Sequence, residues 1–160
     1  MSKVIVTGGS GLVGNGIKDS LSEEDLETYN WNFLSSKDCD LRNRDETMEY
    51  FRKERPNFVI HCAANVGGLF KNMKNNLKMF QDNLEINRNV LAACADIKVE
   101  KLVSVLTTCI FPDKIESYPF NENDLHKGPP HPSNEGYAYA KRLLEVRKPF
   151  QTYYCLIYHF

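Results

Sequence analysis

The fold of this chain is most constrained by a glycine-rich turn that directly follows a short apolar run near the N-terminus. The run Val4-Ile5-Val6-Thr7 predicts a buried strand, and the apolar spacing after Gly11 predicts a helix. Between them, Gly9 to Gly14 reads G-x-G-x-x-G, and Thr7 to Gly14 also satisfies T-G-x-x-G-x-x-G. Such a turn lets backbone N–H groups approach a pyrophosphate and aims a helix N-terminus at its charge. Because strand, turn and helix stand in the required order, we predict a dinucleotide-binding loop rather than a merely structural turn.

Strand-like and helical patterns alternate along the rest of the chain. Further strands are predicted at residues 31–34, 57–62 and 101–106, and helices at 44–55, 76–97 and 136–148. The stretch 76–97 suits one long helix or two in tandem, and the last helix is expected to stop at Pro149. Residues 111–135 are rich in Pro, Asn, Gly and Asp, which predicts an ordered loop. Strands separated by helices pair in parallel through right-handed crossovers, so we predict the α/β class with a doubly wound parallel sheet, a Rossmann fold.

Composition limits the classes of partner. The chain has 160 residues, of which 42% are hydrophobic and 26% charged, as expected for one globular domain with a core. Its formal net charge of -1 provides no overall attraction for nucleic acid or an anionic membrane, so phosphate recognition has to be local. Since the apolar run begins directly after Met1-Ser2-Lys3, we expect no secretory leader, and no segment is long enough to span a bilayer.

The cysteines indicate a reducing compartment. They are odd in number, scattered, and never form a C-x-x-C pair: Cys39, Cys62, Cys94, Cys109 and Cys155. We interpret them as reduced thiols of a cytoplasmic protein and predict no metal site.

The end of the second predicted strand bears on the type of cofactor. An acidic residue there accepts hydrogen bonds from the adenosine ribose of NAD, whereas small hydroxyls with a cation suit the 2′-phosphate of NADP. The chain has Ser35-Ser36-Lys37, which favours NADP, but Asp38 is close enough to act as the acid. Asp40 would lie next to the adenine; the alternative is that it caps the following turn. The residues predicted to bind the cofactor here are Gly8, Gly9, Gly11, Leu12, Val13, Gly14, Ser35, Ser36, Lys37 and Asp40.

Tyr137 and Lys141 are a candidate proton-transfer pair. They are four residues apart at the start of a predicted helix, so roughly 40° separates them around the axis and they share a face. An ammonium beside a phenol lowers the phenol pKa from about 10, which would make Tyr137 a usable acid or base next to a nicotinamide. The alternative is an ordinary surface contact, and the dinucleotide loop upstream favours the functional interpretation.

A hydroxyl and thiol loop follows the fourth predicted strand. It reads Thr107-Thr108-Cys109 and lies at the carboxyl end of that strand, where open parallel sheets place their ligands. A threonine hydroxyl there could hold a substrate carbonyl, and a cysteine could act as acid or base at the adjacent carbon. The alternative for Cys109 is an inert, half-buried thiol.

Taken together, these motifs resemble the GDP-L-fucose synthase family of extended short-chain dehydrogenases/reductases. The resemblance covers residues 3–147, and its most specific parts are Thr-Cys-Ile-Phe-Pro and Val-Gly-Gly-Leu-Phe. The segments that show it are Thr7-Gly-Gly-Ser-Gly-Leu-Val-Gly14, Ser35-Ser-Lys-Asp38, His61-Cys-Ala-Ala64, Val66-Gly-Gly-Leu-Phe70, Thr107-Thr-Cys-Ile-Phe-Pro-Asp-Lys114, Gly128-Pro-Pro-His131 and Gly136-Tyr-Ala-Tyr-Ala-Lys-Arg142.

The resemblance implies an NADP-dependent epimerase-reductase that converts GDP-4-keto-6-deoxymannose to GDP-L-fucose. It implies that Tyr137 and Lys141 serve the reduction, with Lys141 also contacting the nicotinamide ribose, and that Cys109 is the base in epimerisation. Thr107 lies where the family commonly has serine, so the hydroxyl is kept and a methyl group is added. Ala63 and Ala64 are implied as further cofactor contacts. The implied partners are a GDP-sugar and, through a homodimer contact, a second copy of the chain.

Family members continue into further strands and a smaller sugar-nucleotide domain, which also supplies a histidine acid. We therefore expect residues 1–148 to form the NAD(P)-binding domain and residues 149–160 to be a divergent apolar tail, lacking most of the family's C-terminal substrate domain. The tail is β-prone and is expected either to add a strand or to present an exposed edge. Two alternatives to the epimerase-reductase stay open: an inactive NADP-binding module, and another sugar-nucleotide epimerase or dehydratase in which Cys109 is incidental. His61 is interpreted as a core histidine.

Overall fold

The computed structural model describes residues 1–114 and 118–145 and the backbone of residues 153–158. The strands are β1 (Ser2–Thr7), β2 (Tyr29–Leu34), β3 (Phe58–His61), β4 (Lys101–Thr107) and β5 (Tyr153–Tyr158). The helices are α1 (Leu12–Ser20), α2 (Glu23–Thr28), α3 (Arg44–Glu54), α4 (Leu69–Lys74), α5 (Asn76–Ile97) and α6 (Glu135–Arg142). Short 3-10 turns include Thr108–Ile110 and Leu143–Glu145.

The strands form one sheet in the order β2-β1-β3-β4-β5, with every neighbouring pair parallel. The order changes direction after β2, so right-handed crossovers place helices on both faces of the sheet. On one face α5 packs against both α3 and α6. After β1 the chain crosses towards one edge of the sheet, to β2, and after β3 it crosses towards the other edge, to β4. The carboxyl ends of β1 and β3 therefore flank the crevice in which such sheets bind ligands. The predicted α/β class and doubly wound parallel sheet are confirmed.

The main core lies between the sheet and the α3–α5 layer. Apolar residues at alternating strand positions meet the inward faces of these helices, as in Ile5 of β1, Phe51 of α3 and Val90 of α5, all of them fully buried. A second cluster lies beneath the turn after β4, where Leu106 and Ile110 meet Leu144. The two clusters pack the sheet against its helices, and this packing positions the loops at the carboxyl ends of the strands.

Most predicted elements are present, and two short helices were missed. Residues 76–97 form one continuous helix, so the tandem alternative is wrong. Helix α2 has one apolar residue, but the capping box between Ser22 and Asp25 that begins it is a readable signal. Helix α4 follows Gly67-Gly68, where the sequence favours a loop. The last helix begins as predicted and gives way to a 3-10 turn after Arg142, and the rest of that prediction lies outside the described residues.

The tail contributes a strand. Residues 153–158 pair in parallel with β4, so of the two alternatives for this segment the added strand is confirmed. The predicted domain boundary at residue 148 falls outside the described residues. Within the described part of the chain, no helix is both long and apolar enough to cross a membrane.

Candidate active site

A cleft of about 720 Å³ opens at the carboxyl ends of the parallel strands, lined by the loops that follow β1 to β4 and by α6. Most residues predicted for the site line it, and they are Gly8, Gly11, Leu12, Val13, Gly14, Ser35, Ser36, Asp40, Ala63, Ala64, Thr107, Cys109, Tyr137 and Lys141. Gly9 and Lys37 lie outside the lining. The structure thus brings together residues as far apart in sequence as Gly8 and Lys141.

The glycine turn is shaped by close backbone contacts. Gly8 has φ +72°, and a Cβ there would lie 2.8 Å from the backbone of Ala63 in the loop after β3. Gly9 faces β2 instead of the cleft, since a Cβ on it would lie 2.6 Å from Phe33. Gly11 is the N-cap of α1, and the first turn of this helix has no acidic residue. The free N–H groups of the helix therefore open onto the cleft with no carboxylate in their own turn of helix, which favours an anion.

The loop after β2 settles part of the question about the cofactor. The Asp38 carboxylate accepts hydrogen bonds from the backbone N–H and the hydroxyl of Ser35, at 2.9 and 2.6 Å, and lies outside the cleft lining. These bonds hold the pKa of Asp38 below its usual value. Asp38 thus closes the turn that presents Ser35 and Ser36, rather than facing the cleft as a free acid.

Arg42 is a lining residue that the sequence analysis missed. Its guanidinium donates to both carboxylate oxygens of Asp40, at 2.9 and 2.7 Å, and lies 3.8 Å from Asp82 on α5. The hydrogen bonds from Arg42 are the main cause of the lowered pKa of Asp40. Asp40 therefore orients the Arg42 guanidinium at this wall of the cleft. Arg42 thus lies beside Asp40 at the position predicted to face the cofactor. The signal available was a second cation just beyond Ser35-Ser36-Lys37.

A buried polar chain links the glycine turn to α6. The Thr7 hydroxyl lies 2.7 Å from Nδ1 of His61, whose Nε2 lies 3.1 Å from the amide oxygen of Asn87 on α5. The amide nitrogen of Asn87 donates to the Ala140 carbonyl on α6. Burial, reinforced by the positive charge of Lys141, lowers the pKa of His61 to about 3. His61 is therefore neutral and satisfied in the core, as expected from the sequence.

The reactive groups meet at the carboxyl end of β4. Thr107 is the last residue of that strand and caps the 3-10 turn that holds Cys109, through a 3.4 Å hydrogen bond from the Cys109 backbone N–H. Tyr137 and Lys141 are buried, at 8% and 2% exposure, on the face of α6 that lines the cleft. The Lys141 ammonium donates to the Val105 carbonyl at 3.1 Å. Three segments thus converge on one point of the cleft.

The expected lowering of the Tyr137 pKa is wrong, because the net shift is in the opposite direction. Burial, followed by the charge of Cys109, raises the pKa of Tyr137 to about 12, and a hydrogen bond with Thr107 only partly opposes this. The physical reason is that the phenolate loses more solvation in the cleft than its neighbours return. Tyr137 is consequently a protonated phenol at neutral pH, able to donate a proton and not to accept one.

Polar lining residues beyond the predicted set come from the loop after β3, from α4 and from α5. Asn65 donates to Asp82 at 2.8 Å, and Asn72 lines the cleft with a buried side-chain oxygen that has no protein partner among the described residues. Cys62 also lines the cleft, and burial raises the pKa of its thiol to about 11. No group of His, Cys, Asp or Glu side chains that could hold a metal ion occurs in the described part of the chain.

The residues present fit a dinucleotide cofactor. A cradle that admits no Cβ, an uncapped helix N-terminus and the two serines after β2 match a pyrophosphate and an adenosine ribose. The model of the NAD dependent epimerase/dehydratase family matches residues 4–146.

The chain belongs to the NAD dependent epimerase/dehydratase family.

Two relatives that are more than half identical to the matched part of this chain are named for the same activity. The chain is 57% identical over 143 residues to GDP-L-fucose synthase of Dictyostelium discoideum, covering 89% of this chain and 44% of that protein. It is 53% identical over 147 residues to the probable GDP-L-fucose synthase of Drosophila melanogaster, covering 92% and 46%. The chain therefore spans less than half the length of these curated relatives. The family resemblance that the motifs indicate is confirmed.

A solved structure supports the same placement. The chain superposes with a TM-score of 0.80 on a GDP-L-fucose synthetase from Naegleria fowleri bound to NADP, at 49% identity, covering 89% of this chain and 45% of that one. This chain thus shares the fold of the matched 45% of that NADP-bound protein.

Proposed function

We propose that this chain provides the NADP-binding and proton-transfer groups of a GDP-L-fucose synthase, which converts GDP-4-keto-6-deoxymannose to GDP-L-fucose. The observation that supports this most is the convergence of the glycine turn, Ser35-Ser36, Thr107, Cys109 and the Tyr137–Lys141 pair on one cleft. Relatives named GDP-L-fucose synthase at 57% and 53% identity support the same substrate.

The cofactor would be held by groups at both ends of the cleft. The backbone N–H groups at the start of α1 would bind the pyrophosphate, and the Ser36 hydroxyl would donate to the phosphate on the adenosine ribose. Ser35, whose hydroxyl donates to Asp38, would accept a hydrogen bond from the ribose. Lys141 would contact the nicotinamide ribose, as the family resemblance implies. When bound, NADPH supplies the hydride for reduction. The cation of Arg42 and the hydroxyls after β2 favour NADP over NAD because the 2′-phosphate carries additional negative charge.

The residues of the chain move the protons. In epimerisation, Cys109 as a thiolate would remove a proton from the carbon beside the keto group, and the electron pair of that C–H bond would move onto the keto oxygen to give an enolate. Inversion is complete when a proton returns to the opposite face of that carbon, a role that the family resemblance gives to a histidine acid of the smaller sugar-nucleotide domain. In reduction, the Tyr137 phenol donates its proton to the same oxygen, with Thr107 orienting both partners. A phenol with a pKa of about 12 suits this second role because it is fully protonated at neutral pH.

A second candidate is a cofactor-binding module with little turnover. It is favoured by the extent of the matches, which cover only 44% and 46% of the two relatives. Exclusion of water from the substrate is expected to need more of the protein than these 160 residues. We expect this chain alone to bind NADPH and to turn over slowly.

Two measurements on the 160-residue chain separate the candidates. Fluorescence titration with NADPH tests binding, and NADPH oxidation with GDP-4-keto-6-deoxymannose tests turnover. We expect binding without appreciable turnover, and Tyr137→Phe is expected to leave the NADPH dissociation constant within about twofold while removing any residual reduction, since it deletes only the proton donor. Full turnover by the chain would reject the module, and absent binding of NADPH would reject both candidates.

The proposal also covers the location, the oligomeric state and the domain boundary of the protein. We propose a cytoplasmic location, a homodimer, and a cofactor-binding domain that ends near residue 148. The separate thiols of Cys39, Cys62, Cys94 and Cys109 are consistent with a reducing compartment. Sedimentation equilibrium at micromolar concentration tests the homodimer: a single species of 18.4 kDa would contradict it.

A further inference from the structure

Two consecutive cations of α6 bind backbone carbonyls on either side of the reactive loop. Lys141 donates to the Val105 carbonyl at 3.1 Å, and Nε of Arg142 donates to the Ile110 carbonyl at 2.5 Å. Thr107 and Cys109 lie between these two carbonyls in sequence. The segment that holds both reactive side chains is therefore attached to α6 at both of its ends.

The Arg142 contact is set in a well-packed environment. Ile110 is fully buried and closes the 3-10 turn, and its side chain lies in one cluster with Leu144 from the turn after α6. The Arg142 guanidinium lies over the ring of Tyr139, with 5.4 Å from its central carbon to the ring centroid. A planar guanidinium held by a ring and a carbonyl has little rotational freedom, so it fixes the direction of its hydrogen bond.

The thiol held by this turn interacts with the proton donor. Cys109 and Tyr137 line the same cleft, and the charge of Cys109 is the second cause of the raised pKa of Tyr137. A small displacement of the turn would change their separation without changing either residue. The sequence of proton transfers in the proposed function depends on that separation, because both groups act on one sugar ring.

We propose that Arg142 is a positioning residue, whose hydrogen bond to the Ile110 carbonyl holds the Cys109 turn against α6 and thereby sets the thiol beside Tyr137. The effect of this contact on proton transfer rests on the proposed function. The hydrogen bond between Arg142 and Ile110 involves only groups of this chain.

The test uses thiol reactivity in the 160-residue chain without nucleotide. Iodoacetamide labelling at fixed pH, followed by peptide mass spectrometry, gives separate rates for Cys109 and for Cys62, which lines the same cleft from β3. Arg142→Met keeps the bulk of the side chain and removes its donors. We expect it to raise the ratio of the Cys109 rate to the Cys62 rate at least fivefold, because the released turn exposes its thiol.

Further variants separate positioning from general stability. Arg142→Lys, which keeps a charged donor, should restore part of the parent ratio. Arg88→Met is the matched control, since Arg88 pairs on the surface with Glu85 of its own helix, and it should leave the ratio unchanged. If Arg142→Met does not fold, Arg142→Gln replaces it, with an expected rise of at least threefold.

Two results would overturn the inference. One is a ratio within twofold of the parent in the Met or Gln variant. The other is a parallel acceleration at buried Cys39 and Cys94, which would show that the whole core has loosened. The outcome is independent of the proposed function. A changed ratio in a chain that fails to bind NADPH would reject that function and leave the positioning role. An unchanged ratio in a chain that binds NADPH would reject the positioning role and leave the function.

Discussion

The two ends of the cleft are built in different ways. The glycine end is one contiguous stretch whose functional atoms are backbone N–H groups, and its shape depends on contacts that leave no room for a Cβ. The reactive end is assembled from side chains on β4, on the turn after it, and on α6, and charged side chains tie these parts to backbone carbonyls. The first end should therefore be disrupted by an added Cβ. The second should respond to burial and charge.

The strongest test of this contrast is an added methyl group at the glycine end. A Cβ at Gly14 would lie 2.5 Å from the Gly8 carbonyl oxygen, so Gly14→Ala must displace backbone. We expect it to lower the free energy of unfolding by about 3 kcal/mol, as for an overpacked core, and to abolish NADPH binding. Urea denaturation and fluorescence titration measure the two effects.

Gly16→Ala provides the matched control on the same helix. A Cβ there meets nothing within 4 Å, and alanine raises helix propensity by about 1 kcal/mol over glycine. This variant should be as stable as the parent or more so, with unchanged binding. Equal destabilisation by both alanines would contradict the close-contact explanation.

A second test addresses the buried chain that joins the two ends. His61 has a pKa of about 3 in the folded protein and about 6.5 when unfolded, so between these values the unfolded state binds the extra proton. Stability therefore falls as pH is lowered through this window, by up to about 1.4 kcal/mol per pH unit from this group. His61→Gln removes the titration, and its unfolding free energy should fall less steeply than that of the parent from pH 6.5 to 5.

The control for this experiment is the same substitution at an exposed histidine, His131→Gln. Urea denaturation at four pH values compares the three proteins. The explanation fails if His61→Gln and the parent lose stability in parallel across the window.

The smallest expected effect concerns charge at the adenosine end. Ser36→Asp places a carboxylate in the cleft lining, where it should repel a 2′-phosphate and weaken NADPH binding about tenfold relative to NADH. Lys37→Ala, outside the lining, should change binding of either cofactor by less than about twofold if direct contact determines the preference. A larger loss at Lys37 than at Ser36 would place the phosphate outside this cleft wall.

Much of the glycine end could be predicted because its signal is local. A strand, a glycine turn and a helix follow one another in the sequence, so their order alone specified the loop from Gly8 to Gly14. The assignment of Gly9 to the cofactor illustrates the limit: it stays a glycine because Phe33 of the neighbouring strand packs against it, a contact that no local pattern contains. Arg42 was missed for a similar reason, since only folding brings α5 and Asp82 to it.

At the reactive end, the sequence identifies the reactive residues, whereas the tertiary structure determines their environment. The spacing of Tyr137 and Lys141 and the Thr107-Thr108-Cys109 triplet were enough to name the chemical groups, because hydroxyl, thiol and ammonium are covalent properties of the chain. The direction of the Tyr137 pKa shift, the attachment of Lys141 to Val105 and the contact of Arg142 with Ile110 were decided by the tertiary structure. Solvation and charge at a buried site depend on which segments surround it, and those segments meet only when the sheet and its helices have packed.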